Sequence, residues 1–297
     1  MAQFHVIAGA DATAAHPTIR KIGLTDIKEA LTRGLDDFSA MPSHAIFLCL
    51  IYPLVGMFLA TLMLGYNVLP LIFPIAAGFA LLGPVAALHL YELSRRREAG
   101  LDVSWGNAFD VLHSPSFPAI AALGVALFVL FLAWIATAQW LYQSLFGVLR
   151  PESMESFARD ILTTSTGWKL IIIGNAVGFV FALVAFTLSV VTFPMLLDRD
   201  IGAAEAVATS VRAVMANPIT MAVWGVIVAA LLGLGFLTFF VGLAVVIPVL
   251  GHATWHFYRR VVEPAPGMPF EVRSTPKGRR YAAQFPASLF AREKDEG

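Results

Sequence analysis

His252 and His256 stand four residues apart, so in a helix both imidazoles project from one face. Imidazole is a common ligand for zinc, copper and iron, and such a pair can hold a metal or sit beside haem. His89 is the natural third ligand: it follows Pro84 by about one helical turn, as His252 follows Pro248, so the two rings share a depth. His44 and His113 fall near the same level. A second candidate is Asn175, inside the run Gly174-Asn175-Ala176-Val177-Gly178. Small residues four apart let helices approach closely, and a carboxamide can hydrogen-bond across them. Packing within one chain is the expected role of Gly174, Asn175 and Gly178, ahead of dimerisation or a pore. A third is Glu92, followed by Arg95-Arg96-Arg97, where pairing with those arginines is the expected role. No phosphate loop, GxSxG or HExxH is present.

The elements that must carry these residues are unusual. The stretches 38–91, 111–149, 170–197 and 213–258 contain no Lys, Arg, Asp or Glu, and together they make up more than half of the 297 residues. Mean hydropathy is +0.75. About 20 apolar helical residues cross a bilayer core, so the chain reads as an all-α integral membrane protein. Turn signals at Gly65-Tyr66-Asn67 and Gly233-Leu234-Gly235 divide the two longest stretches. Six spans result, at about 44–64, 68–91, 119–146, 170–197, 218–232 and 236–258. With six spans, 17 of the Lys and Arg residues fall on the side of the termini and 3 on the other. By the positive-inside rule both termini are cytoplasmic.

Short amphipathic segments precede the odd spans. The first begins at Asp26, with Ile27, Ala30, Leu31, Gly34, Leu35 and Phe38 on one face; the others are 104–113 and 201–216. Each ends at a proline, and each even span carries a further one, Pro84, Pro194 or Pro248, where a kink is expected. The chain therefore reads as three hairpins, each led by an interfacial helix, a pseudo-threefold repeat. Residues 1–20 read as a disordered arm, 21–262 as the membrane domain and 263–297 as a disordered, proline-rich basic tail. A short helix is expected on the outer surface within 148–167. Cys49 stands alone, which excludes an internal disulfide.

This placement supplies the competing account of the histidines. His252, Trp255, His256 and Tyr258, followed by Arg259-Arg260, would form an aromatic and basic girdle at the membrane surface. The girdle is the reading adopted, so no metal and no cofactor are expected; His252, His256 and His89 are the residues to watch.

The strings Tyr91-Glu92-Leu93-Ser94-Arg95-Arg96, Ala206 through Asn217-Pro218, and Gly251-His252-Ala253-Thr254-Trp255-His256 resemble the bacterial integral membrane family known as domain of unknown function 2189, over about residues 21–262. The resemblance implies a bacterial inner membrane and supplies no functional residues. The expected function is a non-enzymatic membrane scaffold or accessory component, with the bilayer and other membrane proteins as partners and no nucleic acid. A small-solute permease or passive channel is the alternative, because the repeat could enclose a pathway. A metal- or haem-binding accessory of a membrane redox complex is the second. The oligomeric state is open.

Overall fold

The computed structural model describes residues 17–41, 54, 69–148, 151, 153–238 and 240–264. The expected span at about 44–64, with His44 and Cys49, lies outside them, as does nearly all of the tail. Helix α1 is Leu24–Ala40, begun where the Asp26 carboxylate accepts the Gly23 N–H at 2.9 Å. Helix α2, Leu69–Glu98, is 30 residues long and interrupted. Pro84 has no N–H to offer the Ala80 carbonyl, and the backbone tightens to a 3₁₀ turn over Ala80–Leu82 before resuming. The helix stops at Gly100, whose φ of 68° is the left-handed conformation that glycine adopts freely. There the Leu101 N–H returns to the Arg96 carbonyl and the Gly100 N–H to that of Arg97.

A 3₁₀ segment, Trp105–His113, follows, where the sequence pattern indicates an amphipathic α-helix. Ser104 N–H binds Asn107 Oδ1 at 3.0 Å, as in a capping box, and Asn107 Nδ2 binds Asp110 at 3.1 Å. Helices α3 (Phe117–Phe146), α4 (Met154–Thr163), α5 (Ser165–Ser189), α6 (Thr192–Asp198), α7 (Ala203–Ala216), α8 (Pro218–Leu237) and α9 (Leu243–Val261) complete the described chain.

Among the described residues four helices are long and apolar enough to cross a membrane: Leu69–Glu98, Phe117–Phe146, Ser165–Asp198 and Pro218–Leu237. The sequence pattern indicates six, in three equivalent hairpins; the described residues do not display that repeat. The last expected span is α9, whose half after Pro248 holds histidines, Thr254 and two arginines and packs into protein. The turn before it also moves. Helix α8 runs through Gly233-Leu234-Gly235, and the reversal lies at Thr238–Gly242. Gly235 is a packing glycine: a Cβ there would lie 2.4 Å from Leu243 Cδ2.

The core is gathered at one end of the helices. A third or less of each candidate span is buried, and Phe128, Ile172, Phe179 and Val226 are among the large side chains that face outward. In contrast Leu90, Leu93, Phe193, Met195, Trp224, Trp255, Phe257 and Tyr258 are all buried where α1, α6, α7 and the ends of α2 and α9 meet. Within the spans Trp134 is the main junction: its indole N–H donates to the Pro74 carbonyl at 2.7 Å, it packs on Phe181, and Gly78 leaves room for it.

Two expected interfacial helices are built into this core. The apolar face of α1 lies on α9, not in headgroups. A Cβ on Gly34 would be 2.5 Å from the Ala253 nitrogen, so the two backbones touch. Helix α7 buries Ala206, Thr209, Ser210 and Ala213 against the break before Pro194. There Ser210 Oγ donates to the Thr187 carbonyl at 2.8 Å and accepts the Val191 N–H at 3.3 Å. The hydroxyl stands in for the helical bond that the break removes. Helix α9 remains continuous through Pro248.

The end of the N-terminal arm is fastened to the same core. Arg20 N–H donates to the Val261 carbonyl at 2.8 Å, and Glu263 N–H to that of Thr18 at 3.0 Å. Asn217 holds the other edge, accepting the Ile22 N–H and donating to the Arg20 carbonyl, both at 3.0 Å.

Candidate functional site

The packed end contains a buried polar cluster that joins three helices. Asp37 of α1 is its centre and is 4% exposed. Its Oδ2 accepts His256 Nε2 at 2.8 Å and the Ser94 hydroxyl at 2.6 Å, and its Oδ1 accepts Arg97. Ser94 Oγ also lies 2.8 Å from His252 Nδ1. A carboxylate only accepts and a hydroxyl has one proton. Ser94 therefore gives that proton to Asp37 and receives the Nδ1–H of His252. This fixes the neutral His252 tautomer and leaves Nε2 bare; that atom is buried without a hydrogen-bond partner among the described residues. Glu92, also buried, is paired with Arg95 at 2.7 Å, the role its sequence context indicates.

Burial alone would raise the Asp37 carboxyl. The hydrogen bond and charge of His256 and the Ser94 hydroxyl outweigh it and hold the group at about 2. The cluster thus contains a carboxylate that stays ionised, fully engaged by donors from α2 and α9.

A second cluster continues along α9. Glu98 accepts the Trp255 indole N–H at 2.8 Å and Arg259 at 3.2 Å. Asp198 accepts the Tyr258 hydroxyl at 2.6 Å and Arg259 at 3.4 Å. Arg260 pairs with Glu29 on α1. One face of α9 is thereby tied to α1, the other to the ends of α2 and α6.

These contacts overturn the girdle. His252, Trp255, His256 and Tyr258 are all buried, and they bind side chains of the protein rather than headgroups. Their polar tips made them look interfacial; the sequence does not display the acids that meet them. Asp37 was the residue missed. Its position on the apolar face of α1, beside Gly34 and Phe38, was the available signal, since an acid on such a face must find partners. The candidate ligands are not assembled for a metal: His252 keeps a bare Nε2, but His256 Nε2 is given to Asp37, and His113 is exposed. Among the described residues no three or more His, Cys, Asp or Glu side chains form a group able to hold a metal ion. Nor does Ser94 have the setting of a nucleophile. Its proton points to a strongly acidic carboxylate, and the residue is wholly buried.

The glycines and Asn175 part company. Gly178 packs on Trp134 of α3, where a Cβ would lie only 3.0 Å from the indole ring, and Gly174 faces Leu141 of the same helix. Asn175 points outward and donates to its own helix, at the Ile171 carbonyl, at 2.8 Å.

Long apolar helices with outward-facing Phe, Ile and Val, closed at one end by a polar clamp, define an α-helical integral membrane protein. Residues 72–198, from the start of the regular part of α2 to the end of α6, match the model of a family described as predicted integral membrane protein (DUF2189). The match is narrower than the 21–262 that the sequence strings suggest, and α1, α7, α8 and α9 lie outside it. No curated protein and no solved structure matches the chain.

Proposed function

We propose that this protein is a non-enzymatic membrane scaffold or accessory component, held in the inner membrane with both termini in the cytoplasm. One observation carries the reading: the packed, polar part of the molecule is a clamp between its own helices, while most of each span's surface is apolar and faces outward. A clamp whose acids are each engaged by neighbouring donors serves rigidity, and the outward surface is what remains for other membrane components. The permease reading fares less well, because Asn175, the polar residue that would mark a pathway, faces away from the neighbouring helices among the described residues. The 17-to-3 distribution of Lys and Arg supports the orientation. Photo-crosslinkers placed at Phe128 and Val226 in native membranes test the role. A discrete set of protein adducts is expected, together with no solute flux in liposomes. Adducts to lipid alone, or flux abolished by Asn175→Leu, would refute it.

A further inference from the structure

The placement of Asn175 poses a problem of hydrogen bonding. It lies about 9 Å inside Lys169 along α5, at 1.5 Å per residue, in a stretch free of charge from 170 to 197. Its carboxamide gives one N–H to the Ile171 carbonyl. The second N–H and the Oδ1 acceptor have no partner among the described residues. Around it the face consists of Ile172 (65% exposed), Phe179 (67%) and Leu183 (48%), with the small Ala176 beside it. Helix α3 is on the other side of α5, against Gly174 and Gly178. Lipid tails supply neither donors nor acceptors, so an amide here is costly until a partner satisfies it.

We propose that this face of α5 pairs with the same face of a second copy of the chain, Asn175 opposed to Asn175 across a twofold axis. The unused groups, one donor and one acceptor, are self-complementary. Two carboxamides related by a twofold axis exchange two reciprocal N–H···O bonds and leave neither set unmet. Ala176 lets the helices approach, and Ile172 and Phe179 close over the pair. This pairing stands on the α5 face alone and is independent of the accessory role proposed above.

Cysteine crosslinking in native membranes tests it. Ala176→Cys is oxidised with Cys49 retained and with Cys49→Ala, and Val226→Cys on α8 is the control. The expected result is a disulfide-linked dimer from Ala176→Cys in both backgrounds and none from Val226→Cys. Asn175→Leu should weaken self-association by about 3- to 30-fold, and Asn175→Gln should restore it. The substitution is on an outward face, so the thermal midpoint of the monomer should not move. No dimer, a dimer indifferent to Asn175→Leu, or equal crosslinking at Val226 overturns the proposal. So does an internal link between Cys49 and residue 176, which would mean that the chain covers this face itself.

Discussion

Asp37→Ala is the most searching single perturbation of the clamp. It removes the acceptor shared by His256, Ser94 and Arg97, strands the buried His256 ring N–H and leaves the half-buried Arg97 guanidinium without its carboxylate. Removing one partner of a buried pair costs about 3–5 kcal/mol. The loss should be greatest in α1, which Asp37 fastens to the end of α2 and to α9. Hydrogen exchange of peptides from residues 24–40, in nanodiscs, should accelerate by about 10²–10³-fold or more, while peptides from α5 stay unchanged. Acid should mimic the mutation. The Asp37 carboxyl falls from its ordinary 3.8 to about 2 in the folded protein, which corresponds to about 2 kcal/mol. Because the folded value is the lower one, that contribution is complete above about pH 4 and is lost as pH falls through 2. Exchange in α1, corrected for its intrinsic pH dependence, should therefore rise toward pH 2 in the native chain and much less in Asp37→Asn. Unaltered protection of α1 in Asp37→Ala, or identical acid profiles for the native chain and Asp37→Asn, would refute the clamp.

Gly34→Val should lower the thermal midpoint, with a cost of about 1–3 kcal/mol, because even a Cβ meets the Ala253 backbone at 2.5 Å. Gly83→Ala, with no atom within 4 Å of the new methyl, should be neutral or slightly stabilising in the same assay. Ser210→Ala strands the Val191 N–H and the Thr187 carbonyl, so a loss of about 1–3 kcal/mol should appear as faster exchange at Val191. Purified protein should carry no stoichiometric metal and no Soret band; either signal, abolished by His252→Ala, would move the histidines from clamp to cofactor site. Reporter fusions at Pro151 should read outside and at Gly202 inside, and a cytoplasmic signal at Pro151 would invert the proposed topology.

The amino-acid sequence by itself determined the class of molecule and the extent of most helices. Charge-free stretches longer than a bilayer is thick admit few other readings, and the spans expected at about 119–146, 170–197 and 218–232 correspond to Phe117–Phe146, Ser165–Asp198 and Pro218–Leu237. Asp26 marked the start of α1 because its carboxylate satisfies a backbone N–H three residues away. Tertiary structure decided what the polar residues mean. An imidazole near a helix end looks alike whether it faces headgroups or a carboxylate, and Asp37 lies 219 residues from the His256 that it binds. The same holds for glycine. Gly235 reads as a turn in one dimension and proves to be a contact surface for Leu243, while Gly34 admits the Ala253 backbone. Periodicity records which face of a helix is apolar; only packing decides whether lipid or protein covers it.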